Sequence, residues 1–270
     1  MQRPTFTAWL GLAIIALAAF VFAFAPWIAP HGLEETVGVP FAASSPEFAL
    51  GLDQNGRDML SRLLYGAQMS IGVSLAAVLL SFSIGIPLGF FAAIRGGWTD
   101  VILSRGVDTL MSVPVLISAL VVLQALGSSI PVLIVTIAVL DSTRVFRLAR
   151  VLAQGINVME YAEVARLRGE GLFWMIRREI LPNARAPLMA EFGMRFCFSF
   201  LFVAGLSYLG LGIQPPFADW GGMVRDNQQG ILYGLYAPLY PAGAIAVLTI
   251  GVNLVVDWLL AGRPNLQANR

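Results

Sequence analysis

Long runs of apolar residues constrain the fold of this chain more than any other feature of its sequence. A helix needs about 20 apolar residues to cross the roughly 30 Å hydrocarbon core of a bilayer. Six stretches approach that length, at residues 9–28, 71–94, 102–126, 130–150, 187–209 and 239–260. Only 12% of the residues are charged, about half of the usual share in soluble domains. The sequence therefore predicts an all-α membrane protein, a single domain over residues 1–270 with six transmembrane helices.

Two of the six stretches are less regular than the others. Asp108 lies early in the third stretch, and Pro114 is expected to kink it. Only the segment SIPVLIVTIAVL of the fourth is wholly apolar.

For the first stretch a cleaved signal peptide is an alternative, since AFA precedes Pro26. Its apolar run is longer than the 7–15 residues typical of a signal peptide, so we interpret it as a span.

The arginine distribution predicts the orientation, because cytoplasmic segments of membrane proteins are enriched in basic residues. All 17 basic residues are arginine. If the N-terminus is cytoplasmic, thirteen arginines lie on the inner side, including Arg3, Arg263 and Arg270. The outer side then carries only Arg57, Arg62 and Arg225. We therefore expect a multi-pass protein with both termini in the cytoplasm.

Eight of these arginines lie between Arg144 and Arg185. An arginine at mid-bilayer costs about 2.5–3.5 kcal/mol, so this region cannot lie within the membrane. Residues 151–186 are therefore predicted to form a cytoplasmic loop, far longer than a simple helix connection requires. The loop either binds a partner protein or is a solvated basic segment that sets the topology and contacts anionic lipid.

Helix signals within the loop predict two short helices. Asn157 is a candidate N-cap, with Glu160 placed as in a capping box. Gly169 and Gly171 are expected to end the first helix, and Pro182 the second. The apolar face of the first helix would comprise Val158, Tyr161, Ala162 and Ala165.

Three segments resemble a known family. EVARLRGEGLFWMIRREILPNARAPL is similar to the EAA loop of permease subunits of bacterial ABC importers. LGLDQNGRDMLSRLLYGAQMSI and GLSYLGLGIQPPFADWGGMV resemble segments of the second permease of the dipeptide, oligopeptide and nickel group. The sequence departs from the family pattern at Leu52, Val164, Arg168 and Glu179, and AGRPNLQ lacks an acidic residue usual there. These departures weaken any inference about which solute is transported, but they do not weaken the resemblance to importer permeases.

The resemblance implies a non-catalytic subunit in the bacterial inner membrane that forms half of a translocation pore. Its partners would be a homologous permease, two cytoplasmic ATPase subunits, a solute-binding protein outside the membrane and lipid, but no nucleic acid. The chain would bind no cofactor, since ATP and Mg²⁺ would be used by the ATPases. The P-loop that binds nucleotide phosphates requires a lysine, and this chain has none, so it cannot form one. The cargo implied is di- or oligopeptides, with nickel complexes, opines and oligosaccharides as alternatives. The residues expected to couple to the ATPases are Tyr161, Glu163, Ala165, Arg166, Gly169, Leu181 and Pro182.

Charged residues within the predicted spans suggest ion pairs and one alternative function. Glu191 and Arg195 are four residues apart and can pair on one helix face. Asp108 can reach Arg105, and Asp141 can reach Arg144, by i,i+3 spacing. A proton-coupled secondary transporter could instead use Asp108, Glu191 and Asp257. Such proteins usually contain inverted repeats, and the two halves of this chain show no repeat.

The predicted outer segments carry candidate contacts for a solute-binding protein. RDMLSRLLYG is interpreted as a short amphipathic helix, lying on the outer membrane surface or contacting a solute-delivery protein. Aromatic residues of segment 212–237 are interpreted as interfacial anchors, or as contacts with that protein. The candidate contact residues are Asp53, Arg57, Asp58, Phe217 and Trp220. One histidine and one cysteine exclude an internal disulfide and argue against a zinc site or a Ser-His-Asp hydrolase.

Overall fold

The computed structural model describes residues 5–261 and is helical throughout its regular parts. Arg3, Arg263 and Arg270, which contribute to the orientation argument, lie outside the described residues, as does most of AGRPNLQ. The helices are α1 (Phe6–Ile28), α2 (Met59–Arg95), α3 (Gly97–Met111), α4 (Val115–Leu126), α5 (Ile130–Asn157), α6 (Glu160–Leu167), α7 (Leu172–Trp174), α8 (Leu181–Tyr208), α9 (Trp220–Asn227) and α10 (Leu239–Ala261). A π-helical segment, Met175–Ile180, joins α7 to α8, and a 3₁₀ segment, Gln228–Tyr233, follows α9.

Four helices of the described residues are long and apolar enough to cross a membrane: α1, α2, the continuous helix Leu172–Tyr208, and α10. Helices α3 and α4 meet the same criterion only together, and they are bent by 82° where they meet. Helix α5 does not meet it, because Asp141, Arg144 and Arg147 interrupt its apolar character. By length and composition the structure therefore contains four to five candidate spans, fewer than the six predicted.

Helices α2 and α5 pack closely along most of their length and form the centre of the molecule. Glycines permit this approach: a Cβ atom at Gly89 would lie 2.6 Å from the Phe146 carbonyl oxygen. Helices α1 and α10 pack against each other, and α8 lies between α2, α5 and α10. A shared aromatic core forms where α2, α8 and α9 meet, with Phe82, Phe196, Phe200 and Trp220 buried there.

The prediction of a separate surface helix at RDMLSRLLYG was wrong. Met59 begins α2, which continues without interruption to Arg95. Asp58 caps the helix by accepting a hydrogen bond from the Ser61 backbone N–H at 2.8 Å. Met59 is fully buried, so the apolar face of this segment packs inward against the protein. Gly66, the one helix-weakening residue here, does not interrupt α2, and it packs against the Trp220 indole.

Pro114 has a larger effect than the predicted kink. It lies at the N-cap of α4, and α3 ends three residues before it, at Met111. Proline lacks a backbone N–H and drives the preceding residue out of the helical region, so the helix ends there instead of bending. The third predicted span is consequently two helices at a steep angle.

Pro182 has a smaller effect than predicted, because it does not end a helix. It lies where the α-helical part of this helix begins, directly after a π-helical turn. The preceding turn is π-helical, and the Leu181 N–H bonds to the Ile176 carbonyl, five residues back. This wider turn carries the chain past the proline ring without a break. The end of the predicted loop, from Leu172 onward, and the fifth predicted span are therefore one helix of 37 residues.

Candidate functional site

Helix α6 is a short amphipathic element between the end of α5 and the helix Leu172–Tyr208. Ala162 and Ala165 are fully buried, and they pack against Met175 and Trp174 at the start of that helix. Both alanines were expected on the apolar face, and the structure places them there. Because their side chains are small, α6 lies close against the π-helical segment.

The predicted N-cap of α6 was wrong. Asn157 is the last residue of α5, and Met159 occupies the N-cap position without a side-chain hydrogen bond. The Asn157 side chain instead accepts a hydrogen bond from Arg166, whose Nη2 also donates to the Asn157 carbonyl at 2.7 Å. Val158 lies at the C-cap of α5 and is 81% exposed, so it does not belong to the buried face. Tyr161 is 42% exposed, so its predicted place on that face was also wrong.

Gly169 ends α6 as predicted, and the geometry is that of a Schellman motif. Its N–H bonds to the Arg166 carbonyl at 2.8 Å, and the Glu170 N–H bonds to the Ala165 carbonyl at 3.2 Å. Gly169 has φ of +79°, a left-handed conformation that side-chain-bearing residues rarely adopt. The turn orients α6 relative to the following helix.

The opposite face of α6 exposes apolar side chains in the most highly charged part of the chain. Tyr161, Val164 and Leu167 are spaced by three residues and therefore lie on one face. Leu167 is 82% exposed, and Phe173 beyond the glycine turn is 73% exposed. We call these four residues the α6 surface. Apolar groups of this size outside a lipid environment indicate a surface that a partner covers.

The remaining residues predicted to couple lie on α6 or at the start of α8. Glu163, Arg166, Leu181 and Pro182 are exposed, whereas Ala165 is buried in the packed face. Arg168, which departs from the family pattern, stacks over the Trp174 ring at 5.6 Å. Exposed charges thus surround an exposed apolar patch, as at many protein–protein interfaces. Sequence reasoning missed Val164, Leu167 and Phe173, although the i,i+3 spacing of the first two could have revealed them.

A cluster of charges joins α5 to α8. Arg195 Nε lies 2.7 Å from Glu191 Oε1, so the predicted pair forms. Its Nη1 lies 3.3 Å from Asp141 Oδ1 on α5, and Arg144 lies 3.7 Å from the same oxygen, as the i,i+3 spacing predicted. The Arg144 guanidinium also stacks on the Phe198 ring at 4.5 Å. The Arg195–Asp141 contact between helices could not be predicted from spacing within either helix.

Two ion pairs hold α3 against α5. Asp108 pairs with Arg147 at 2.6 Å and not with Arg105, so that prediction was wrong. Asp100 accepts hydrogen bonds from the Arg150 guanidinium, one of them from Nη2 at 2.6 Å. The bend before Pro114 lays α3 beside α5. Arg147 on α5 therefore pairs with Asp108 in place of Arg105 on α3.

At the end of the molecule opposite α6, Asp53 and Asp58 are structural residues. Asp53 is 1% exposed; it accepts hydrogen bonds from the backbone N–H groups of Asn55 and Arg57 and lies 2.9 Å from the Arg57 Nε. Asp58 is 3% exposed and caps α2. The structure therefore does not place these carboxylates on the surface, where a contact with a solute-binding protein would require them.

The aromatic residues of segment 212–237 fall into two groups. Trp220 is 6% exposed, and its Nε1 donates a hydrogen bond to the Leu63 carbonyl at 2.8 Å, so it anchors α9 to α2 and not to a membrane interface. Phe217, Tyr233 and Tyr236 are exposed, as an interfacial or partner-binding role requires.

Asp219 caps α9 from within the same segment. It accepts a hydrogen bond from the Gly222 N–H at 3.1 Å. Burial raises the pKa of its carboxyl to about 6, against the opposing effect of hydrogen bonds from Gly222, Ser207 and Gly221. No cluster of three or more metal-ligating side chains occurs between residues 5 and 261.

Comparison with known proteins gives a consistent result. Residues 85–262 match the sequence profile of the family described as "Binding-protein-dependent transport system inner membrane component". A putative peptide transport system permease protein of Brucella suis is 32% identical over 96% of this chain and 87% of its own length. A di/tripeptide transport system permease protein of Pseudomonas aeruginosa is 31% identical over 92% and 84%. A glutathione transport system permease protein of Pectobacterium atrosepticum is 31% identical over 92% and 83%.

A solved structure shares the fold. The crystal structure of an amino acid ABC transporter with histidines superposes with a TM-score of 0.51 at 20% identity. The match covers 73% of this chain and 92% of the other.

Proposed function

The chain belongs to the family of binding-protein-dependent transport system inner membrane components, and we propose that its α6 surface docks on a cytoplasmic ATPase. It is a permease of an ATP-binding-cassette importer, a non-catalytic membrane subunit. The ATPases, a homologous permease and a solute-binding protein complete the importer as we propose it. ATP and Mg²⁺ are then used by the ATPase chains.

The single observation that carries this proposal is the exposed apolar α6 surface. Leu167 and Phe173 each expose more than seven-tenths of their area in a segment too charged to enter lipid. A solvated basic loop would not need these side chains. Burying them against a partner stabilises the complex by about 25 cal/mol per Å² of apolar area.

We also propose six crossings, with α5 as the fourth. Its first half is apolar, and it packs along α2, which itself satisfies the criteria for a span. The charges in its second half are partnered: Asp141 by Arg195 and Arg144, and Arg147 by Asp108. Pairing lowers the cost of placing these groups near the membrane boundary. With the arginine bias, this topology puts α6 and both termini in the cytoplasm of a bacterial cell.

The packing of α6 suggests how motion passes to the membrane. The contact of Ala162 and Ala165 with Met175, and the turn at Gly169, couple α6 to the helix Leu172–Tyr208. The Arg195–Asp141 contact couples that helix to α5, and the Arg147–Asp108 pair couples α5 to α3. A displacement of α6 on ATPase closure would therefore shift several spans together, a hinge-type transition that produces alternating access.

Peptides are the cargo we propose. The relatives described above are named for transport of peptides, di- and tripeptides or glutathione, which favours peptides over nickel complexes, opines and oligosaccharides. The proton-coupled alternative is disfavoured by the family, and by Glu191 and Asp108 being engaged in ion pairs.

A pair of matched substitutions tests the docking proposal. Leu167→Ser and Leu232→Ser remove leucines of nearly equal exposure, 82% and 84%, from opposite ends of the molecule. Leu167→Ser should weaken co-purification of the ATPase and reduce peptide uptake into vesicles containing ATP. Leu232→Ser should leave co-purification of the ATPase unchanged. Equal ATPase recovery with both variants, at equal permease levels in the membrane, would refute docking at this surface.

A further inference from the structure

A polar pocket of about 240 Å³ lies at the end of the molecule opposite α6. It is formed by the turn before α2 and by the segment that leads from α8 into α9. The charged residues that line it are Arg57, Arg62, Arg225, Asp219 and Asp226. Neither the family match nor the names of the relatives assign a role to it.

Arg62 is the unusual residue of this pocket. Its side chain is only 6% exposed, yet its Nη1 atom has no hydrogen-bond partner among residues 5–261. Its Nε lies 3.1 Å from Asp53 Oδ2 but is not aligned for a hydrogen bond. A buried donor without an acceptor is destabilising, and more so when it is charged. An acceptor from outside the chain would remove this cost.

The carboxylates around the pocket already have other partners. Asp226 accepts from Arg225 Nε and Nη2 at 3.1 and 3.0 Å. Asp219 caps α9, and its pKa is raised to about 6. Asp53, behind the lining, accepts from two backbone N–H groups and from Arg57. Three carboxylates thus balance the three arginines by charge, but each carboxylate already has other partners, so Arg62 keeps Nη1 as an unused donor.

The size of the pocket and the unpartnered guanidinium of Arg62 define the ligand that fits it. Sites for drug-sized ligands usually measure about 300–1,000 Å³, so this one accommodates one end of a molecule or a single side chain. Guanidinium binds carboxylates through two parallel hydrogen bonds, which a neutral amide cannot match. We propose that the pocket is a binding site for a carboxylate group, with Arg62 as its principal donor.

Two sources can supply this carboxylate: the C-terminus of a peptide cargo, or an acidic side chain of the solute-binding protein. Naming these sources rests on the proposed function, whereas the site itself does not. The site is therefore tested first with acetate, which carries the group alone, and with acetamide as its neutral counterpart.

The test measures how far a bound carboxylate protects the arginines that line the pocket from chemical modification. The assembled transporter in nanodiscs is treated with phenylglyoxal, and modification of Arg57 and Arg225 is quantified by peptide mass spectrometry. Acetate at about three times its dissociation constant should slow modification about fourfold, because protection follows 1 + [L]/Kd. Acetamide and an equal concentration of chloride should have no effect. The exposed Arg178 near α6 serves as an internal control that acetate should not protect.

Two variants at one position test whether the pocket itself is responsible. Asn55 lines the pocket and is exposed, so Asn55→Asp adds a carboxylate while keeping all existing pairs. This internal anion should abolish protection by acetate, whereas Asn55→Ser should retain it. Equal modification rates with acetate and acetamide in the wild type, or full protection in Asn55→Asp, would overturn the proposal.

The two natural sources are then distinguished in separate reactions. Protection by dialanine but not by dialanine amide assigns the site to the cargo terminus. Protection by the purified solute-binding protein alone assigns it to an acidic side chain of that protein. Protection by acetate but by neither of these shows an adventitious ion only and overturns the proposal. None of these protection experiments depends on ATP. A negative result here can therefore be distinguished from failure of the proposal that α6 docks on an ATPase.

Discussion

Arg195 on α8 lies 3.3 Å from Asp141 on α5 while it also pairs with Glu191, 2.7 Å away on its own helix. One guanidinium therefore serves two acidic groups on two helices. Asp141 is 2% exposed, and Arg144 offers it only a longer contact of 3.7 Å. The cluster links the helix that follows α6 to the centre of the molecule.

Removing Arg195 should therefore destabilise the protein more than removing Asp141. Arg195→Met leaves both Asp141 and Glu191 without their shared partner, and breaking a buried ion pair costs about 3–5 kcal/mol. Asp141→Asn leaves Arg195 paired with Glu191 and should cost clearly less. The unfolding free energy of the purified chain in detergent, from denaturant titration, provides the measurement. Equal losses in the two variants would argue against a shared guanidinium.

The turn at Gly169 should tolerate asparagine better than alanine. Gly169 has φ of +79°, and a Cβ atom there would meet nothing within 4 Å, so only backbone strain opposes substitution. Left-handed backbone costs other residues about 1–3 kcal/mol, and asparagine tolerates it best. Gly169→Ala should lower uptake more than Gly169→Asn, with both inserted normally in the membrane. Uptake assays at equal permease levels compare them, and a larger loss with asparagine would contradict this reasoning.

Gly221 should be essential for the close approach of α9 to α8. A Cβ atom at Gly221 would lie 2.2 Å from the Ala204 carbonyl oxygen, which the backbone cannot easily avoid. Gly221→Ala should therefore destabilise the chain by about 1–3 kcal/mol, the usual cost of overpacking. Gly205→Ala is the matched control, since nothing lies within 4 Å of its added methyl group. The thermal unfolding midpoints of the two variants are compared in the same detergent. Equal midpoints would show that α9 can move away from α8 without cost and would contradict the prediction.

Asp219 should make the protein more stable in mild acid. Its pKa is about 6 in the folded protein and near 3.8 when unfolded, so the folded state binds more protons between these values. Its contribution to stability therefore rises as the pH falls from 7 to 5, by about 1 kcal/mol. Asp219→Asn keeps a capping side chain and should remove this component. Unfolding free energies at pH 5 and pH 7 test it, and an identical pH difference in both proteins would contradict the shift.

Local patterns in the sequence predicted the local structure well. The ends of α1 and α10, the glycine turn at Gly169 and the Glu191–Arg195 pair follow from apolar length, backbone freedom and helical spacing. The proline effects were predicted less well, because they depend on the neighbouring turn. Pro114 separates α3 from α4. Pro182 follows a π-helical turn that accommodates it, so the helix continues there.

Features that depend on contacts between helices could not be predicted from the sequence. Asp108 pairs with Arg147 because α3 lies beside α5, and Trp220 is buried because α9 packs on α2. The same limit applies to the candidate sites. The spacing of Tyr161 and Val164 was visible in the sequence, whereas the unpartnered Nη1 of Arg62 depends on where segment 212–237 folds.

The unbroken helix Leu172–Tyr208 has the length that a lever arm between α6 and the membrane would need. At 1.5 Å per residue its 37 residues span about 55 Å, longer than the bilayer core is thick. A rotation of about 10° at one end would carry the other end sideways by nearly 10 Å if the rod stayed straight. The π-helical turn before Pro182 keeps this helix continuous. With α6 in the cytoplasm, as proposed above, a small movement of this end would therefore be magnified across the membrane.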